Sequence, residues 1–125
     1  MKARESALRL KRFAADEMAR KVADLEHMIR EFDGMASDLH RQIKAEEERT
    51  GVRDPIHFAY STFAKSASQR RDNLRASADG LKAKLEAALR ERDDALEQVA
   101  RADSPTSHEQ VRNRRRTERS AAALR

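Results

Sequence analysis

The sequence predicts an all-α protein: an antiparallel two-helix coiled-coil hairpin followed by a basic C-terminal tail. Three observations predict this fold. Apolar residues recur every seven positions in two long blocks, the chain has only three glycines and two prolines, and a short run of helix-breaking residues separates the blocks. Charged residues make up 39% of the chain and aromatic residues only 4%, which suits long solvated helices and excludes a β-sandwich or barrel.

The first helix is predicted over about residues 3–49. Apolar residues every 3.5 positions form a narrow stripe on a helix, and such a stripe is buried only against another helix. We call this stripe the seam. In the first block it comprises Leu8, Ala15, Val22, Ile29, Ala36 and Ile43, interleaved with Lys11, Met18, Leu25, Phe32, Leu39 and Glu46.

A turn is predicted over residues 50–55, and the second helix over about residues 56–103. Gly51 suits the left-handed conformation that ends a helix, Asp54 suits a helix cap, and Pro55 suits the first helical position. Because the connection is short, the second helix is predicted to run antiparallel to the first, which makes residues 1–103 a hairpin. Its seam comprises Tyr60, Ala67, Leu74, Leu81, Ala88 and Ala95, interleaved with Ala64, Arg71, Ala78, Leu85, Arg92 and Val99.

Residues 104–125 are predicted to form a basic tail that is disordered or partly helical, because Pro105 ends the second helix. The tail carries six arginines against two glutamates, a charge of +4. Residues 1–13 carry five basic residues against Glu5, also +4, and residues 14–103 sum to −3. In a hairpin both basic segments lie at the same end, which predicts affinity for nucleic acid, anionic lipid or an acidic protein surface, or a solvated charge run without a specific partner.

Two clusters of apolar residues are candidate partner-binding surfaces. Leu10 and Phe13 lie on one helical face away from the seam, which predicts either a docking patch within the basic stretch or a seam that wanders near a frayed terminus. Tyr60 belongs to the seam. Phe58 and Phe63 either close the end of the coiled coil or present an aromatic anchor to a partner.

The sequence contains no recognisable motif for catalysis, for cofactor binding or for metal binding. The glycines stand alone, so no phosphate-binding loop is predicted, and His27, His40, His57 and His108 lack metal-ligand spacing. The run Glu46–Glu48 is expected to be ordinary helix surface. The chain has no cysteine, which is consistent with a reducing compartment. No apolar run has the length of a signal peptide or membrane span, so a soluble, non-enzymatic protein without cofactors is expected.

Several segments resemble alphaproteobacterial members of the flagellar export protein FliJ family. They are MKARES and LRLKRF at the N-terminus, DPIHFAY after the turn, and TFAK and QRRDNL in the second helix. The resemblance covers roughly residues 1–100, and the tail departs from the family pattern. It implies a cytoplasmic stalk and escort protein at the inner face of the cell membrane, binding a hexameric export ATPase, the cytoplasmic domain of the membrane export gate, and substrate chaperones. The residues expected at the ATPase end are Arg4, Arg9, Leu10, Lys11, Arg12 and Phe13, and those expected at the gate end are Phe58, Tyr60 and Phe63.

Two other functions remain open from the sequence. One is a small basic coiled-coil protein that binds nucleic acid through the arginine-rich tail, which the absence of aromatic residues for base stacking disfavours. The other is a scaffold that self-associates into a four-helix bundle and covers a second apolar flank, formed by Met28, Met35, Leu89 and Leu96.

Overall fold

Two long helices make up most of the structure, a computed structural model that describes residues 2–104, 112 and 114–121. Helix α1 spans Lys2–Thr50 and helix α2 spans Thr62–Ala102. Charged residues and alanine dominate both helices, and these residues have high helix propensity. The described part of the chain contains no strand, so the all-α fold class predicted from the sequence is confirmed. Nowhere in these residues does a helix have the length and apolarity needed to cross a membrane.

The seam predicted from the heptad repeat is the face that the helices bury. Every seam position in both blocks is buried or partly buried, apart from the exposed Lys11. The buried members are small or β-branched for the most part, as with Val22, Ala36 and Ile43 on α1 and Ala64 and Ala78 on α2. Alanine at these positions allows the two backbones to approach closely, although each alanine buries little apolar area.

The predicted start of the second helix was wrong by six residues. Residues 55–60 form turns, and α2 begins at Thr62 instead of near Ile56. Asp54 does not cap the helix; its side-chain Oδ1 accepts a hydrogen bond from the Ile56 amide at 3.0 Å within a local turn. The cap is Ser61, whose Oγ accepts from the Ala64 amide at 3.2 Å and whose carbonyl accepts from the Lys65 amide at 3.0 Å.

The chain divides into two compact units. The first, which we call the loop unit, is Val22–Ala87. Its core brings Ile43 of α1 together with Ala64 and Ala67 of α2, and Leu39 and Tyr60 pack against them. Asp33 of α1 pairs with Lys82 of α2, and His40 of α1 bonds Arg71 of α2. Glu47 of α1 bonds Tyr60, which lies in the loop just before α2. Residues later in α1 therefore contact residues earlier in the second half of the chain, as in an antiparallel pair.

The second unit, which we call the terminal unit, comprises residues 1–21 and 88–125. Arg12 pairs with Asp103 at 3.3 Å and Lys21 pairs with Glu91 at 3.7 Å. The later residue of α1 again pairs with the earlier residue of the second half of the chain. The tail residues that the structure describes, 112 and 114–121, are helical and exposed, so the predicted disorder of the tail is not confirmed for them. The predicted helix stop at Pro105 lies outside the described residues, although α2 ends at Ala102.

Candidate partner-binding surfaces

The loop between the helices, residues 51–61, is held in one conformation by its own hydrogen bonds. Gly51 ends α1 with a φ of 76° and donates its amide to the Glu47 carbonyl at 2.9 Å. The His57 amide then bonds the Asp54 carbonyl, and the Tyr60 amide bonds the His57 carbonyl. The His57 ring contributes as well, because its Nδ1 accepts from the Ala59 amide at 3.0 Å. The loop is therefore a sequence of turns with a defined path.

Two carboxylates at the end of α1 anchor this loop. Glu47 is only 7% exposed and accepts a hydrogen bond at 2.8 Å from the Tyr60 hydroxyl, while Glu46 accepts one at 3.0 Å from the Ser61 hydroxyl. The expectation that Glu46–Glu48 are ordinary surface residues was wrong for these two. Both were misjudged because their partners are loop residues, which the helical pattern of α1 does not reveal.

These contacts change the acidity of the groups involved. Hydrogen bonding from Tyr60 lowers the pKa of Glu47, and hydrogen bonds from Arg49 and Ser61 lower the pKa of Glu46. Burial, followed by the hydrogen bond to Glu47, raises the pKa of Tyr60. The lowered pKa values favour the ionised carboxylates and the raised pKa favours the protonated phenol, which is the pairing that the hydrogen bond between Tyr60 and Glu47 requires.

The anchored loop presents large apolar side chains to solvent. Ile56 is 92% exposed and Phe58 is 96% exposed, and the Phe58 ring stacks on the His57 ring at a centroid distance of 4.7 Å. Phe58 therefore does not close the end of the helix pair, which was one of the two alternatives from the sequence. Phe63 is about half exposed at the start of α2. We call Ile56, Phe58 and Phe63 the loop patch. Sequence reasoning missed Ile56, because it placed this residue at the start of the second helix.

Tyr60 does not share the exposure of these neighbours. It is partly buried against the core of the loop unit and bonded to Glu47. Of the three residues predicted at the gate end, Phe58 and Phe63 are thus available to a partner, while Tyr60 holds the loop in place.

The second surface, in the terminal unit, surrounds Leu10 and Phe13. Leu10 is 70% exposed and Phe13 is 59% exposed, and they line a groove of about 380 Å³ together with Ser6 and Arg9. We call these four residues the terminal patch. α1 is continuous through this region from Lys2, so both side chains project from a formed helix and not from a frayed end.

The basic residues predicted beside this patch differ in their surroundings. Arg9 lines the groove, whereas Arg12 bonds Asp103, the residue that directly follows α2. Among the described residues, no carboxylate pairs with Arg4, Arg9 or Lys11, and all three are exposed. The structure therefore brings Arg9, Leu10 and Phe13 together, and it gives Arg12 a role in holding the two helices of this unit.

No group of three or more His, Cys, Asp or Glu side chains within residues 2–104, 112 and 114–121 is arranged to hold a metal ion. Comparison with protein-family models finds no match, and neither a curated protein nor a solved structure matches the chain.

Proposed function

We propose that this chain is a non-enzymatic stalk and escort component of a flagellar type III export apparatus, as its resemblance to the FliJ family implies. In this role it couples a hexameric export ATPase to the cytoplasmic domain of the membrane export gate and assists the cycling of substrate chaperones. It acts in the cytoplasm, at the inner face of the cell membrane.

The proposal includes an antiparallel coiled-coil hairpin formed by α1 and α2. Two observations support it. The buried heptad seam runs through both helices. Within each unit, residues later in α1 contact residues earlier in the second half of the chain, as antiparallel helices require. A coiled coil is stiff, and a stiff element is required if one protein is to hold two partners apart.

The observation that carries the proposal is the pair of exposed apolar patches, each built on a well-defined backbone. Large apolar side chains more than half exposed are costly in water, and they are typical of surfaces that a partner covers. Arg4, Arg9 and Lys11 lie in or beside the terminal patch and pair with no carboxylate among the described residues, which suits an acidic surface on the ATPase. The loop patch is aromatic and aliphatic, which suits an apolar cleft on the gate.

The ATPase contact is tested by co-purification with a hexameric flagellar export ATPase. We expect Arg9→Glu with Lys11→Glu, and separately Leu10→Ala with Phe13→Ala, to reduce recovery of the complex at least tenfold. The control is Arg30→Glu with Arg75→Glu, which makes the same charge change at exposed α-helical positions outside the patch. Equal recovery of all variants, with helicity unchanged in circular dichroism, would reject the assignment.

The gate contact is tested separately with Ile56→Ser and Phe58→Ser. Both side chains are almost fully exposed, so we expect the melting temperature to stay within about 2 °C of the wild type while binding to the gate's cytoplasmic domain is lost. If both variants bind the gate normally, the loop patch is not the gate contact.

A second function is supported by the helical tail residues. Arg116 and Arg119 lie three residues apart within the helical residues 114–121, so they share one helical face, which suits a run of phosphates. A nucleic-acid-binding protein would show affinity that falls steeply with salt and disappears when residues 104–125 are deleted. The export proposal expects that deletion to leave ATPase binding intact.

A further inference from the structure

A third apolar surface lies in the loop unit and shares no residue with either patch. Met35 and Leu39 of α1 and Leu74 of α2 line a groove of about 260 Å³ between the helices. Met28 lies seven residues before Met35 and extends the same stripe, and both methionines are 40% exposed. The groove and the two methionines form a face that the chain itself does not cover.

The charges on this face are segregated by helix. Asp38 of α1 and Arg70 of α2 lie on opposite sides of the groove. On α1 the residues at heptad spacing from Asp38 are also acidic, Glu31 and Asp24, whereas on α2 the series from Arg70 continues through Ser77 to Lys84. The α1 edge is thus acidic and the α2 edge is basic.

The basic edge is not neutralised within the described residues. Arg70 and Lys84 are exposed, and no carboxylate in this part of the chain pairs with either of them. On the acidic edge, Glu31 pairs with His27 and Asp38 with Arg41, both through exposed contacts on the same helix. Such pairs contribute little free energy, so they exchange readily for a better partner.

The cross-helix contacts fix the levels at which these charges lie. Lys82 pairs with Asp33 at 3.8 Å, which places Glu31 level with Lys84 across the groove. The Arg71 side chain bonds His40 at 2.9 Å, which places Asp38 within one helical turn of Arg70. Glu31 and Asp38 of α1 therefore each have a base of α2 at nearly the same level along the helix axis.

We propose that a second copy of this chain covers this face. A two-fold axis parallel to the helices places α1 of each copy against α2 of the other. Rotation about this axis does not change the position of a residue along the helix axis. Glu31 of one copy then meets Lys84 of its partner, and Asp38 meets Arg70, twice in the dimer. A two-fold axis perpendicular to the helices in the interface plane would instead set acid on acid and base on base. Edge charges select partner and orientation in helical bundles in this way.

The dimer goes beyond the proposed export function, because it uses none of the residues of the terminal or loop patch. In the dimer, Met28 and Met35 of the two copies fill the groove between the helices. Methionine suits this position because its flexible side chain packs into irregular space. The loop units of the two copies then form a four-helix arrangement, in which a second apolar interface lies between the copies.

Light scattering on the full chain, coupled to gel filtration, tests the dimer through charge exchange. We expect the wild type to reach twice its 14.3 kDa mass as concentration rises. Arg70→Glu with Lys84→Glu makes both edges acidic, and Glu31→Lys with Asp38→Lys makes both edges basic, so each variant alone is expected to remain monomeric. Their equimolar mixture is expected to recover the doubled mass, because both interfaces become complementary again.

The matched control is Lys65→Glu with Arg75→Glu, the same charge change at exposed positions of α2 outside this face, and it should dimerise as the wild type does. Should a charge variant lose helicity, Met28→Gln with Met35→Gln tests the same face and is expected to be monomeric. A wild type that stays at 14.3 kDa throughout, or a helical mixture that stays monomeric, would overturn the proposal.

Discussion

The Tyr60 hydroxyl donates a 2.8 Å hydrogen bond to Oε2 of Glu47, and this contact ties the loop to the end of α1. Glu47 lies thirteen residues earlier in the chain and is almost fully buried, so the bond both satisfies a carboxylate and fixes the start of α2. The loop patch is therefore positioned by a contact that leaves its own apolar side chains free.

Removal of this hydrogen bond should destabilise the loop unit. Tyr60→Phe keeps the ring but removes the 2.8 Å hydrogen bond to the Glu47 carboxylate, which keeps its more distant ion pair with Lys44, at 3.5 Å. We expect a lower melting temperature for Tyr60→Phe and for Glu47→Gln. The double variant should lose less than the sum of the two, as measured in a double-mutant cycle by thermal unfolding. Additive losses would show that the two side chains do not act together.

The same pair should make stability depend on pH at both extremes. The pKa of Glu47 is lowered from 4.5 in the fold, so its contribution is present above that value and is lost as the pH falls through the folded pKa. The pKa of Tyr60 is raised from 10.0, so its contribution is present below that value and is lost as the pH rises through the folded pKa. We expect unfolding midpoints of the wild type to fall in both ranges, with a smaller acid loss in Glu47→Gln and a smaller alkaline loss in Tyr60→Phe.

The helix cap offers a direct comparison between the sequence prediction and the structure. Ser61→Ala removes the side-chain acceptor at the start of α2 and should cost about 1 kcal/mol of unfolding free energy. Asp54→Ala removes only a local turn contact in the exposed loop and should cost less. Urea denaturation measures both, and a larger loss for Asp54→Ala would place the cap where the sequence predicted it.

Two glycine substitutions should change stability in opposite directions. Gly80 lies within α2 with open space around an added Cβ, so Gly80→Ala should add about 1 kcal/mol. Gly51 has a positive φ that an alanine adopts only with strain, so Gly51→Ala should cost about 1–2 kcal/mol. Thermal unfolding of the two single variants provides the comparison, and stabilisation by Gly51→Ala would contradict the left-handed helix end.

Alanine substitution should lower the free energy of unfolding much more at a buried apolar position than at an exposed one. Ile43 is 2% exposed and lies in the core cluster of the loop unit with Ala64 and Ala67, and Ile43→Ala should cost about 2–5 kcal/mol. Leu10→Ala, at a position 70% exposed, should leave stability nearly unchanged. Chemical denaturation separates the two cases, and a large loss for Leu10→Ala would mean that the terminal patch packs on the chain itself.

The heptad repeat was sufficient to predict both helices and the face that each one buries. Positions such as Val22, Ile43, Ala64 and Ala78 could be identified because a heptad spacing returns residues to the same face of a helix, so their burial follows from spacing alone. The exposure of Leu10 and Phe13 followed from the same spacing. Their common groove with Arg9 depended on how three side chains are arranged, which spacing does not define.

The segment between the helices has no such repeat, and there the tertiary structure decided the outcome. Asp54 and Pro55 favour a helix start, yet the hydrogen bonds of Tyr60 to Glu47 and of Ser61 to Glu46 place that start at Thr62. Contacts between residues thirteen or fifteen apart leave no periodic trace in a sequence. The helices and their buried faces were thus determined by the sequence pattern itself, whereas the loop, and with it the exposure of Ile56 and Phe58, was decided by contacts that exist only after α1 and α2 have packed.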